Sequence, residues 1–169
     1  MKIIFLDVDG VLNTRNAKDR FGTVIGIEDE KVKRLAQIVA QTGAKIYLTS
    51  SWKYGWSSDP YKCMEDGVYL NLKLAKYGLK IEDKVDMGIS ERGYEILQWI
   101  DWHTRWADYK IDSYVVLDDE RFDFPLYPEF SGRIVKTDFY TKDGGLQEFH
   151  VKEAVRILNE MPVREGKIV

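Results

Sequence analysis

Residues 2–8, Lys-Ile-Ile-Phe-Leu-Asp-Val, form an apolar run that turns acidic at its end. Such a run reads as a strand buried on both faces, the habit of a parallel sheet. Parallel neighbours need long crossovers, and the intervals that follow are long enough to hold helices. Over 28–42, Val32, Leu35, Ala36 and Val39 recur at i, i+3, i+4 and i+7. Acids crowd the first turn of that segment, and Gly43 stands where a left-handed cap belongs. Further strands are predicted at 45–49, 84–87, 113–118 and 133–137. Leu70, Leu74 and Tyr77 suggest a helix ending at Gly78, Ser90 is a candidate cap for a helix to about 106, and a last helix covers about 146–160. The alternation predicts an α/β fold with a central parallel sheet flanked by helices. At 169 residues the chain is expected to form one domain, 1–169.

Composition narrows the function classes. The chain is 44% hydrophobic and 31% charged, which excludes disorder. Its net charge of −3 argues against a domain that grips long nucleic-acid duplexes by charge alone. The single cysteine, Cys63, excludes an internal disulfide and any cysteine zinc cluster. It fits a reducing compartment, so a cytoplasmic location is expected. No apolar run is long enough to predict a membrane span. The start of the chain does not read as a signal peptide.

Three predicted strands end in polar, mostly acidic residues: Asp7-Val8-Asp9-Gly10, Thr49-Ser50-Ser51 and Asp118-Asp119-Glu120. In an open α/β sheet, ligands bind outside the carboxyl ends of the strands. At least three carboxylates are therefore expected to share one small volume. Like charges that close raise each other's pKa unless a cation intervenes. Hard oxygen donors of this kind suit magnesium. A calcium loop at Asp7-x-Asp9 would need Gly at its sixth position and Glu at its twelfth. Leu12 and Lys18 stand there, so it is rejected.

Asp7-Val8-Asp9-Gly10-Val11-Leu12 after an apolar strand resembles the first motif of the haloacid-dehalogenase-like (HAD) phosphohydrolases. Thr49 resembles their second motif, and Asp118-Asp119 after Tyr-Val-Val-Leu their fourth. More narrowly, Asp-Gly-Val-Leu-Asn, Thr-Ser-Ser-Trp-Lys, Leu-Asp-Asp and the Asp-Gly-Gly-Leu of 143–146 are similar to the HAD domains associated with RNA repair proteins. The resemblance implies a three-layer Rossmann-like HAD fold and a magnesium-dependent phosphomonoester hydrolase. Asp7 would be the nucleophile that forms an aspartyl-phosphate. Asp9 would be the general acid and base, which requires it to hold a proton when substrate arrives. Gly10 allows the tight turn beside the substrate. Magnesium would be held by Asp7, the Asp9 backbone carbonyl, Asp118 and, directly or through water, Asp119. Thr49 would bind a phosphate oxygen, with Ser50 as the competing candidate. The third motif is a Lys or Arg that offsets phosphoryl charge. Arg92 is chosen for it over Lys73 and Lys84, and its removal is expected to cut turnover more than tenfold without lowering the melting temperature.

No large cap domain fits the gaps. Residues 13–27 hold only a flap, and 56–80 leave room for a small helical lid. An open site suits a phosphorylated substrate of large size, and a nucleotide or nucleic-acid phosphate end is favoured. Trp52 and Trp56 follow the second motif and are candidates for stacking on a base, against packing at the sheet edge. Trp99, Trp102 and Trp106 share one helix flank and are assigned to core or partner packing. His103, His150 and Cys63 are read as structural. The rival functions are a phosphate-binding or interaction domain of the same fold with little turnover, and a receiver-like domain. A receiver would carry its acceptor Asp on a later strand.

Overall fold

The computed structural model describes residues 1–163. The last six residues of the predicted domain lie outside the described residues. Seven strands form: β1 (Lys2–Leu6), β2 (Arg20–Phe21), β3 (Val24–Ile25), β4 (Lys45–Leu48), β5 (Ile81–Lys84), β6 (Ser113–Asp118) and β7 (Ile134–Lys136). Four α-helices accompany them: α1 (Asp29–Thr42), α2 (Glu65–Ala75), α3 (Arg92–Trp106) and α4 (Glu148–Glu160). Five strands build one sheet in the order β5-β4-β1-β6-β7, and every pairing is parallel. β2 and β3 pair as a separate antiparallel hairpin in the flap. The expected α/β, Rossmann-like class is what the chain adopts.

Alternation along the buried strands separates two cores. Ile4, Leu6, Ile46, Leu48, Val115 and Leu117 pack with α1, α2 and α4. Ile3, Phe5, Tyr47, Tyr114 and Val116 pack on the other face with α3 and the segment holding Phe124 and Phe130. The strands are apolar on both faces because each face is roofed. Residues Leu70 and Leu74 anchor α2 in the first core, while Phe21 of the flap stacks on Tyr69 of the same helix at 4.5 Å.

The chain steps from β1 to β4 and β5 on one side, then crosses to β6 and β7 on the other. The strand order therefore reverses between β1 and β6. That reversal opens a crevice at the carboxyl ends of these two strands, where α/β folds bind ligands.

Two local expectations need correction, and the tryptophans sort themselves. The third parallel strand lies at Ile81–Lys84, not 84–87. It is an edge strand of mixed polarity whose register slips between Ile46 and Tyr47, so it carries little periodic signal. Ser90 does not cap α3; its hydroxyl bonds Glu91. The cap comes from Asp123, whose carboxylate accepts from the N–H groups of Gly93 (2.6 Å) and Tyr94 (2.9 Å). Of the three tryptophans of α3, only Trp99 enters the core, and Trp102 and Trp106 are exposed. Trp56 is buried, with its indole N–H on Asn71 at 2.9 Å. No helix among the described residues is long and apolar enough to cross a membrane.

Candidate active site

Register builds the site. In the sheet Leu6 pairs with Leu48 on one side and with Leu117 on the other. The next residue of each strand is therefore abreast of its neighbours: Thr49, Asp7 and Asp118. Backbone hydrogen bonds continue the ladder, from Asp7 N to Leu117 O at 3.0 Å and from Thr49 N to Leu6 O at 2.9 Å. Asp7, Asp118 and Asp119 each bring a carboxylate oxygen into a group whose members lie within 4.8 Å of one another.

Arg92, in the first turn of α3, reaches this group. Its Nη1 donates to Asp7 Oδ1 at 3.0 Å and to Asp118 Oδ2 at 2.7 Å. Neither rival cation arrives there. Lys73 pairs with Asp19 and Asp29, and Lys84 donates to the carbonyls of Lys53 and Trp56 and pairs with Asp86.

Even with the arginine present, burial and mutual repulsion dominate. Burial, then the nearby Asp118, pushes the Asp7 carboxyl up to about 7. Burial, then Asp118 and Glu120, pushes Asp119 up to about 6. Burial also raises Asp118. Three acids held this way have too little positive charge around them. A divalent cation fits that deficit, and the donors are hard oxygens of the type magnesium prefers. The backbone carbonyl of Asp9 accepts no hydrogen bond among the described residues, so it too is open to a cation. The residues present fit the metal, and Asp7, Asp118 and Asp119 would be its carboxylate ligands.

Asp9 lies outside the carboxylate group. Its Oδ2 accepts from the Trp52 indole N–H at 3.0 Å, and its Oδ1 accepts from Asn13 Nδ2 at 2.8 Å. This overturns one expectation. Trp52 is only 6% exposed, so it is no stacking platform; it holds Asp9 in place. The Asp9 side chain is bonded elsewhere, which leaves its backbone carbonyl, the atom expected to meet the metal, open to a cation.

Gly10 has φ +78°, and a Cβ there would lie 2.3 Å from Asp119 Cγ. Glycine is thus required twice, for the backbone and for the approach of Asp119. The turn is fixed from outside. Gly10 N–H donates to Asn13 Oδ1 at 3.0 Å, and Thr137 Oγ1 donates to the Gly10 carbonyl at 2.6 Å. The Asp-Gly-Gly-Leu segment of 143–146 braces the same loop, with Leu146 N–H on Val11 O at 2.8 Å. Asn13 and Thr137 were not singled out as site residues from sequence. Asn13 follows Asp9 by four residues, the spacing of a local side-chain bond, and Thr137 is one more polar residue at a strand end.

The second-strand alternatives separate clearly. Ser50 caps the 3₁₀ turn Ser51–Tyr54, accepting from Trp52 N–H. The Thr49 hydroxyl is buried beside Asp7 and has no hydrogen-bond partner among the described residues. A buried polar group without a partner costs about 1–3 kcal/mol, and its place at this edge marks it for a ligand oxygen. Thr49→Val should leave the melting temperature unchanged or higher and raise KM for a phosphate ester about tenfold or more, since a hydrogen bond to a charged group contributes about 1.5–3 kcal/mol. Steady-state kinetics with thermal melting checks both parts; unchanged KM would remove Thr49 from the site.

A buried ion pair supports the rim. Lys53 Nζ donates to Glu95 at 2.8 Å and to Val85 O at 3.0 Å, while Glu95 accepts from Met87 N–H. It ties the turn after β4 and the segment after β5 to α3, from which Arg92 projects.

The model of one protein family, described as the HAD domain in Swiss Army Knife RNA repair proteins, matches residues 3–151. The chain belongs to this family. The match covers every residue of the carboxylate group, Arg92, Thr49 and the bracing 143–146 segment. It places the chain in a superfamily of hydrolases and phosphatases. Searches of curated proteins and of solved structures gave no significant match.

Proposed function

We propose that this HAD domain is a magnesium-dependent phosphomonoester hydrolase that acts on phosphate ends of RNA through an aspartyl-phosphate at Asp7. The observation that carries this reading is the Asp7–Arg92–Asp118 bridge, with an unpartnered Thr49 hydroxyl on the adjoining strand end. One buried carboxylate is flanked by donors suited to a phosphoryl group. The RNA part of the reading rests on the family's description and on the absence of room for a large cap. The expected cytoplasmic location belongs to the same proposal.

In the first step an Asp7 oxygen attacks phosphorus in line and the bond to the leaving oxygen breaks. Asp9, held by Trp52 and Asn13, gives that oxygen its proton. In the second step Asp9 takes a proton from water, which attacks the aspartyl-phosphate and frees inorganic phosphate and Asp7. Arg92 and Thr49 hold the non-bridging oxygens throughout. Magnesium, when bound by Asp7, Asp118 and Asp119, would shield the phosphate from the acids that surround it.

The test is release of phosphate from an aryl phosphate and from a phosphate-ended oligoribonucleotide, with and without magnesium. Release that needs the metal is expected from both. A protein that binds the oligoribonucleotide and releases nothing from either would instead be a binding domain of this fold.

A further inference from the structure

Phe122 is the one non-glycine residue among those described with a positive φ, +40°. A phenylalanine adopts that conformation against its own sterics. Burial of the ring does not account for it, because Phe122 is 49% exposed. The backbone on either side is fixed instead. Glu120 N–H bonds Asp118 Oδ1, Phe124 N–H bonds the Arg121 carbonyl, and Asp123 caps α3. The result is a ring whose centroid lies 4.3 Å from the Arg92 guanidinium carbon. The Nη1 of that guanidinium holds Asp7 and Asp118. An exposed aromatic face thus stands one side chain away from the reacting carboxylate. Backbone strain kept at such a place is an indication of function.

The charges around it choose the occupant. A groove of about 520 Å³ runs between Phe122, Pro125 and Leu126 on one wall and Ser90, Glu91 and Arg92 on the other. Arg92 is already engaged, and Glu91 and Asp123 repel anions, so this groove does not suit a phosphate. It suits a flat neutral ring with N–H donors. Beyond Pro125 lies a second cavity of about 580 Å³, walled by Phe124, Tyr127 and Phe130, with Arg121 and Lys136 at its lining. Both cations are exposed. Arg121 makes no ion pair among the described residues, and Lys136, whose ammonium donates to the Thr137 carbonyl at 3.3 Å, also lies near enough to Asp119 and Asp138 to lower their carboxyls. Aromatic faces followed by exposed cations are the composition of a single-strand binding groove.

We propose that the segment 121–127, with the first turn of α3, is the subsite for a single-stranded nucleic-acid end. The terminal base stacks on Phe122, and the next backbone phosphates meet Arg121 and Lys136. This deepens the phosphatase reading and rests on it for the position of the terminal phosphate only.

The test measures binding of a short single-stranded oligoribonucleotide with a terminal phosphate to the Asp7→Asn protein. Stacking on one aromatic contributes about 1–3 kcal/mol, so adding Phe122→Gly should weaken binding about five- to a hundredfold. Melting temperature should hold or rise, because glycine relieves the backbone at φ +40°. Phe122→Tyr should keep the affinity. Arg121→Ala with Lys136→Ala should lower the slope of log Kd against log salt by about 1.4, at about 0.7 per phosphate contact on single strands. Affinity unmoved by Phe122→Gly overturns the subsite. So does a lower melting temperature in that variant, which would make the ring structural, or equal affinity for an oligomer lacking its terminal base. Phosphate release by the unaltered protein with magnesium, from an aryl phosphate and from the phosphate-ended oligomer, reads the phosphatase separately. Inert protein with Phe122-dependent binding refutes the phosphatase and keeps the subsite; active protein with Phe122-independent binding does the reverse.

Discussion

Asp7→Asn should release no measurable phosphate from any ester while folding normally. The amide keeps the shape and the oxygen that meets Arg92, but it is too weak a nucleophile to take the phosphoryl group. Phosphate monoesters hydrolyse so slowly unaided that accelerations reach about 10²¹, so little turnover should survive loss of the covalent route. A variant with wild-type turnover would end the Asp7 mechanism. The same substitution has a pH signature. Burial, then the nearby Asp118, raises the Asp7 carboxyl from its ordinary 3.8 to about 7. Between those values the metal-free folded protein holds a proton that the unfolded chain has lost. Its contribution is therefore full below pH 4 and is lost as pH rises through about 7. One such proton is about 1.4 kcal/mol per pH unit, and a domain of this size moves about 2–4 °C per kcal/mol. Without metal, the melting temperature of Asp7→Asn minus that of the unaltered protein should grow by a few degrees as pH rises from 4 to 7. Burial lowers His103 and His150, which tilts stability the opposite way. Both proteins carry these histidines, so the difference cancels them. Magnesium at pH 7 should then raise the melting temperature of the unaltered protein more than that of the variant. A flat difference across this range would mean that the carboxylate group is not strained as described.

Arg92→Ala should cut kcat at least a hundredfold, the cost of removing a preorganised donor from developing charge. It should also lower the melting temperature of the metal-free protein, against the expectation from sequence that stability would be untouched. The guanidinium is inside the fold, bridging two buried carboxylates and packed on Phe122. Breaking a buried pair by removing one partner costs about 3–5 kcal/mol. The fall should be larger at pH 8 than at pH 5, where Asp7, raised to about 7, is protonated and needs the cation less. Both bonds leave one nitrogen, Nη1. A lysine that reached the same point could make both, so Arg92→Lys should recover much of the stability and some of the rate. Melting curves at the two pH values with kinetics on one aryl phosphate decide the matter. Normal kcat in Arg92→Ala would return Arg92 to the ordinary surface arginines.

Asp7, Thr49 and Asp118 were legible because the sheet turns local sequence into spatial neighbourhood. Each is the polar end of an apolar strand, and parallel register sets such ends abreast. Gly10 was legible because a turn follows the strand at once. The HAD family could be read in the same residues. Other features leave no local trace. The strand at Ile81–Lys84 has weak alternation because it lies at an edge. The cap of α3 comes from Asp123, thirty residues on from Gly93. Trp52 reads as a rim aromatic until its indole N–H is found on Asp9.

The sequence by itself determined the α/β class and the carboxylate edge, because these follow from hydrophobic period and residue chemistry. Only the tertiary structure decided which cation meets Asp7, that Ser50 is engaged while Thr49 is free, and that Phe122 faces the site. Those answers depend on which side chains from distant segments occupy the same few ångströms, and helix position and loop packing, not residue type, set that.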